Sequence, residues 1–490
     1  MEGKKTAVGG FLSYFYGNFI VLLLGFVQTP LVTRLMTTDE YGRTGMFETA
    51  VSIIYIFAIL GLDQAYIRYY YVKGIKRERL LRCCLGLSGA VVLLLVVLYF
   101  LSAGRVNLWL FGKDGTDIRL LVVSYTVISV LERYFFLDVR LQQNGKLYSN
   151  VNIAQKVLNI VLIALAWSVL GNDFRVVLYA MTLSWGMTTA FLIIRYFILR
   201  RGAAGTAEAE NSGTAQGDFS SGELLKYGMP FIPVLLMEWL MASCDRVAIR
   251  RYSDFDALGV YTAAMKIMVL LITFKNTFVA FWSPVAMERY ESGKEAESKA
   301  FFRQAFDMTR FLCALTAIGL ILCRDLIVLL LGEDYRRAAR LIPFLTLMPV
   351  FAILFEITCQ GIKFVKKNVW LNLASAVAII INISGNALLV PRFGGMGAAV
   401  ATGLSYLVYF WIGTLLSEHF YPVGYDYLRT LLMGAVVILY ASAAVLTERK
   451  GMTAAAGIPA ILLICLLEKK SLLMAAAYVR EKLCKLMKKG

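Results

Sequence analysis

The chain has 490 residues, 59% of them hydrophobic, and carries a formal net charge of +17. That much apolar residue is more than one soluble core accommodates. Apolar blocks of about 20 residues recur along the whole length, long enough to cross a bilayer as helices. The basic excess does not point to nucleic acid. With the N-terminus inside, about 29 Lys and Arg fall on cytoplasmic segments and about 16 on the opposite side, a topological bias that favours anionic lipid headgroups.

The N-terminal MEGKKTAVGG runs into an apolar block ending at Thr33. It is longer than a signal-peptide core, so it reads as a retained first helix. Further spans are expected at 45–67, 81–103, 117–140, 149–171 and 174–199. After them, Arg200 to Gly222 holds mostly Gly, Ala, Ser, Thr and charged residues, a composition that predicts a flexible linker. The next spans fall at 223–245, 257–284, 301–323, 336–360, 367–391 and 395–419, and two more at 426–446 and 452–467. The expected fold is therefore an all-α polytopic membrane protein of about 14 transmembrane helices. Its parts are an N-terminal six-helix lobe (1–199), a cytoplasmic linker (200–222), a C-terminal six-helix lobe (223–419), two accessory helices (420–467) and a tail (468–490). In the tail, Leu472, Leu473, Val479, Leu483 and Leu486 alternate with basic residues, which predicts an amphipathic helix lying on the inner leaflet.

The two sides of the linker echo each other. Phe111–Gly112–Lys113–Asp114 returns as Leu331–Gly332–Glu333–Asp334, and Asn152 and Asn372 fall at the same offset. Arg34, Asp39 and Gly42 match Arg251, Asp256 and Gly259 at a slightly shorter one. Six spans per half return the chain to its starting side. The halves are thus expected to be parallel repeats about an axis along the membrane normal, with a cavity between them.

Ionisable groups at bilayer depth are expensive and need partners or water. Helical phase places Glu48, Ser52, Tyr55, Asp63 and Tyr66 on one arc of the second span, and Tyr14, Asn18, Gly25 and Thr29 on one arc of the first. Tyr227, Glu238 and Asp245 share a face of the seventh. Thr262, Lys266 and Thr273 share one of the eighth, with Lys275 half a turn away. Asn152, Lys156 and Asn159 line the fifth, and Asn372, Ser375, Asn382 and Asn386 the eleventh. The plain alternative is that such stripes glue helices together. Asp307 and Arg310 read as a local i, i+3 pair. Arg34, Arg246, Arg250 and Arg251 fall at the outer ends of spans, where they either meet an anion or cap helix C-termini.

Eight cysteines lack ligand-like spacing and His419 is the single histidine, so no metal or other cofactor is expected. No phosphate-binding loop, nucleophile elbow or zinc-protease motif occurs, which argues against an enzyme.

The segment NALLVPRFGGMGAAVATGLSY, Asn386 to Tyr406, strongly resembles the helix–turn–helix near the twelfth span of polysaccharide transporters in the multidrug/oligosaccharidyl-lipid/polysaccharide exporter superfamily. TPLVTRLMTTDEYG (Thr29 to Gly42), GLDQAYIRYY (Gly61 to Tyr70), KYGMPFIP (Lys226 to Pro233), DRVAI (Asp245 to Ile249) and LGVYTAAMKI (Leu258 to Ile267) resemble other parts of that family in order. The resemblance implies a flippase in the cytoplasmic membrane, with both termini inside, moving an undecaprenyl-pyrophosphate-linked oligosaccharide outward by alternating access for cell-surface polysaccharide biosynthesis. Lys266, Arg34, Arg246 and Arg68 are then the candidates for the anionic group, and Asn18 and Asn152 for sugar. Glu48, Asp63, Lys156, Glu238 and Asp245 complete the expected substrate-facing set. Membrane lipids are the surrounding partners, H+ or Na+ the coupling ions to test, and a glycan polymerase or glycosyltransferases the proteins that would handle the same cargo. A cation-coupled multidrug exporter and a peptidoglycan-precursor flippase of the same superfamily stay open as alternatives.

Overall fold

The computed structural model describes residues 2–204, 219–447, 450–469 and 471–473, with side chains described for 16–199, 219–447, 451–469 and 471–473. Most of the expected linker, most of the basic tail and the side chain of Tyr14 lie outside the described residues. Among those residues the chain is helical, without strands. The first half comprises α1 (Glu2–Leu35), α2 (Thr38–Ile59), α3 (Leu62–Tyr69), α4 (Arg77–Phe111), α5 (Thr116–Leu141), α6 (Gly145–Leu170) and α7 (Arg175–Ala204). Next come α8 (Ser221–Gly228), α9 (Phe231–Tyr252), α10 (Phe255–Glu291), α11 (Glu295–Leu322) and α12 (Arg324–Ile327). The chain continues through α13 (Ile342–Leu345), α14 (Leu347–Thr358), α15 (Gln360–Phe364), α16 (Val369–Phe393), α17 (Gly395–Phe420), α18 (Tyr427–Leu446) and α19 (Lys450–Leu467).

Eleven spans, counting the broken Ile342–Phe364 as one, are long and apolar enough to cross a membrane among the described residues. They become twelve if α2 and α3, bent by 50°, count as one. This is an all-α, multi-pass membrane protein. Helices also fill the other two expected spans, α9 and the shorter α19, but neither is both long and apolar enough to cross, so the count of 14 is not reached. The reason is visible in α9, which carries Glu238, Asp245, Arg246, Arg250 and Arg251 in 22 residues.

Several helix ends have local causes. α8 starts at a capping box, with the Ser220 hydroxyl accepting from the Glu223 amide and the Glu223 carboxylate accepting from Ser220. Asp426 caps α18 by accepting from the Arg429 amide at 3.0 Å. Pro391 falls inside the last turn of α16. α16 runs on to Phe393, because a proline in the final turn loses one hydrogen bond only, and the turn is made at Gly394.

The chain folds as two compact units. The first is Met1–Arg250 with Asp254–Gly259, and the second is Arg251–Ser253 with Val260–Gly490. In the first, a core around Tyr66, Tyr70, Leu80 and Tyr134 receives Phe219 and Leu224 from the far end of the linker. In the second, aromatic side chains including Phe302, Phe306, Phe351 and Phe410 pack with Met433, Val437 and Tyr440 of α18 and Ile464 of α19. The last two helices are thus part of that unit's core.

The two halves repeat one bond. Asn159 of α6 donates to Ser184 of α7 at 3.2 Å, and Asn382 of α16 donates to Ser405 of α17 at 3.3 Å. Donors and acceptors lie about 220 residues apart, the offset seen in the sequence.

Candidate functional site

In the first unit the break between α2 and α3 is made by Leu60 and Gly61, both left-handed at φ 53° and 67°. A side chain at Gly61 would strike the Gly228 carbonyl, so the bend of α2–α3 and the end of α8 cross backbone to backbone. That crossing brings α9 alongside α2. The Arg246 guanidinium lies 4.0 Å from the Glu48 carboxylate and 3.4 Å from the Thr49 hydroxyl. One helical turn and more away, the Trp239 indole donates to the Ser52 hydroxyl at 3.0 Å and the Thr49 carbonyl at 3.3 Å. Both ionic side chains keep part of their surface open, 15% for Arg246 and 25% for Glu48. The pair is thus half-buried and at the outer limit of ion-pair distance.

Asp63 does not join that pair. It is buried and held by Arg133 of α5, with contacts of 3.1 and 2.5 Å from Nε and Nη2, while its other oxygen accepts from the Gln64 amide. Asn159 is interhelical glue, accepting from Gln28 of α1 at 2.9 Å while bonding Ser184. Asn152 donates to its own helix at the Tyr148 carbonyl. Lys156 reaches α1 at Gly25, where an added Cβ would make only an ordinary contact with it. Asp245 is buried in α9, whereas Asn18, Arg34, Arg68 and Glu238 are exposed on α1, α3 and α9. Lys266 is half-buried on α10 in the second unit.

Arg250 acts as a helix cap. It donates to the carbonyls of Trp109 and Leu108 at 2.6 and 3.4 Å, and Arg43 donates to that of Phe111 at 2.8 Å, together covering the end of α4. Both guanidiniums stack on the Phe255 ring, Arg43 at 4.4 Å and Arg250 at 4.3 Å. Beside them Thr38 donates to Asp256, and a side chain at either Gly42 or Gly259 would meet opposing backbone, so the first turns of α2 and α10 touch. In the loop between α4 and α5, the Arg119 guanidinium and the Asn107 amide hold the Asp114 carboxyl at about 2.

Helical phase alone does not single out three further charged residues inside spans. Glu132 and Arg133 sit side by side in α5, and Glu356 is the one charged residue of α14. Each carries a signal in the sequence, an ionisable group far from either end of an apolar run.

The fold so defined is that of membrane flippases and transporters. Lipid II flippase MurJ, in an inward closed conformation, aligns over 94% of this chain and 99% of its own at 12% identity, with a TM-score of 0.65. An inward-facing multidrug resistance MATE family transporter of the MOP superfamily aligns over 86% and 99% at 15% identity and 0.59. An outward-facing one aligns over 88% and 97% at 15% and 0.51. No curated protein matches the sequence significantly. A family model described as "Polysaccharide biosynthesis protein" matches residues 7–290, more than half of the chain. The chain belongs to that family.

Proposed function

We propose that the protein flips an undecaprenyl-pyrophosphate-linked oligosaccharide across the cytoplasmic membrane, by alternating access of two six-helix lobes with both termini inside. The observation that carries this reading is the family match over 7–290. The half-buried Glu48–Arg246 station and Lys266 support it, because a sugar diphosphate needs a wet polar path with cations along it. The lipid tail can stay in the bilayer throughout. In this reading Lys266 meets the diphosphate. Lys266→Ala then abolishes transport of lipid-linked oligosaccharide into the outer leaflet of vesicles while membrane abundance is unchanged, and Lys266→Arg keeps part of it. Transport by Lys266→Ala at the normal rate overturns the assignment. A cysteine placed in the 200–222 linker that reacts with an impermeant reagent in intact cells overturns the topology.

A second reading is favoured by one observation, the alignment with a lipid II flippase over nearly the full length of both chains. It makes the cargo a peptidoglycan precursor, which is also a polyprenyl diphosphate. Deletion separates the two readings by what accumulates on the inner leaflet, a polysaccharide repeat unit or a cell-wall precursor. The multidrug reading draws on alignments of similar extent at lower TM-scores, and Arg246 and Lys266 suit an anionic cargo better.

A further inference from the structure

Lys266 and Lys275 are nine residues apart on α10, so they project from opposite faces of the helix. Lys275 therefore serves something other than the Lys266 stripe. Its ammonium lies 3.4 Å from one oxygen of Glu356 on α14, and the Lys363 ammonium of α15 lies 3.6 Å from the other. One carboxylate is thus shared between two ammoniums, all within the second unit, and the cluster carries a net charge of +1. Its members are only partly buried, with side chains 19–31% exposed.

Three physical points fix what such a cluster takes. A metal cation would approach two ammoniums to reach a single carboxylate, so it is repelled. The excess positive charge calls instead for an anion. The carboxylate also fits loosely, because both separations exceed the roughly 2.7–2.9 Å of a good charged hydrogen bond. An anion with more oxygens and a wider span reaches both ammoniums at once. The surroundings suit an anion carried on a lipid. Lys366 and Lys367 are exposed at the turn just beyond Lys363, with Lys367 4.5 Å above the Phe420 ring. The next residues, Val369, Trp370 and Leu373, leave a strongly exposed apolar strip at the start of α16. Cations leading inward beside an apolar strip match a charged head on a hydrocarbon tail.

We propose that Lys275 and Lys363 bind the diphosphate of a polyprenyl lipid, and that Glu356 is a built-in competitor which the diphosphate displaces. This site rests on the lipid-linked cargo proposed above and gives its anionic head a second station, separate from Lys266.

The test is calorimetric binding of farnesyl diphosphate to the purified full chain in detergent, with thermal unfolding of each variant measured alongside. Lys275→Ala and Lys363→Ala are each expected to weaken binding by about tenfold or more. Glu356→Gln is expected to tighten it, because the competitor is lost. Should single lysine variants fail to fold, the double variant Lys275→Gln, Glu356→Gln restores the charge balance. It must still bind weakly if the site is real. Indifference of binding to both lysines, or weaker binding by Glu356→Gln, overturns the proposal. Equal binding of inorganic pyrophosphate, or of cardiolipin, in place of farnesyl diphosphate overturns its lipid-diphosphate specificity. If wild-type vesicles fail to flip lipid-linked oligosaccharide while binding still depends on the lysines, the transport reading falls and this site stands. Normal flipping with binding indifferent to the lysines removes this site and leaves the transport reading standing.

Discussion

Arg310 and Arg246 are both helix arginines facing a glutamate from a distant stretch, yet their settings differ. Arg310, in α11 of the second unit, is 2% exposed, and so is Glu468, its partner just beyond α19. Its guanidinium donates to Glu468, with the Nε contact at 2.9 Å, and to Thr430 at 3.0 Å, and lies 2.9 Å from an Asp307 carboxylate oxygen, while Ser471 donates to the second Glu468 oxygen at 2.7 Å. Arg246, in the first unit, is several times more open and meets Glu48 only at 4.0 Å. A dry, saturated charge pair locks helices together. A more exposed, looser one holds its helices less firmly. The chemistry of the side chains is the same, and burial with hydrogen-bond saturation separates the two settings.

The largest effect expected follows from breaking the saturated pair. Glu468→Ala leaves Arg310 charged and buried, at a cost of about 3–5 kcal/mol, and should release α18 and α19 from the rest of the second unit. Arg310→Met combined with Glu468→Leu should recover most of that loss, since apolar side chains of similar volume replace the pair. Unfolding in detergent, followed by protease accessibility of the C-terminal helices, reads both. A Glu468→Ala protein as stable as the wild type would erase the difference between the two arginines.

Half of that arrangement is legible in the sequence. Asp307 and Arg310, spaced i, i+3, announce a local pair, and the structure holds them 2.9 Å apart. Glu468 is 158 residues from Arg310, and nothing local marks it as the stronger partner. Composition places it at the start of the tail and no more. The helices are legible for a firmer reason, since long apolar runs have one way to satisfy their backbone in lipid. Their ends are less so, because α4 and α10 continue for several residues past the apolar run. The break at Leu60–Gly61 leaves no sign beyond one glycine, since Leu60 adopts a left-handed backbone that leucine seldom prefers. Of the candidate site, Glu48 and Arg246 do meet, while Asp63 is claimed by Arg133, 70 residues along the chain and linked to it by no local spacing.

Asp63 and Arg133 lie between the two extremes of the comparison, one side chain 7% exposed and the other 32%. Asp63→Asn should cost about 1–3 kcal/mol, and Arg133→Gln more, because it strands a buried carboxylate. A denaturant series on both variants measures the order, and the reverse order would mean that water reaches Asp63. At the loose end, Glu48→Gln should lower stability by only about 1 kcal/mol, within the range of open ion pairs. Under the proposed function it should still slow transport of lipid-linked oligosaccharide about tenfold or more, as should Arg246→Gln. A stability loss for Glu48→Gln as large as that of Glu468→Ala would place the pair with the structural locks.

The smallest effect belongs to a partly exposed charge pair whose carboxylate, Asp114, lies in the loop between α4 and α5, where water screens most of the interaction. Asp114 accepts from both the Arg119 guanidinium and, at 2.8 Å, the Asn107 amide, and its carboxyl is held at about 2 against an ordinary 3.8. The folded state therefore binds this proton less readily than the unfolded chain. Its contribution to stability is complete above about pH 4 and disappears as pH falls through 2. Asp114→Asn removes that contribution, so the variant should melt slightly below the wild type at pH 6 and converge with it by pH 2. In a chain of this size the gap at pH 6 should be about 1 °C or less. A gap that widens as the pH falls would have the wrong sign, and would show that Asp114 is protonated more readily in the folded protein than in the unfolded one.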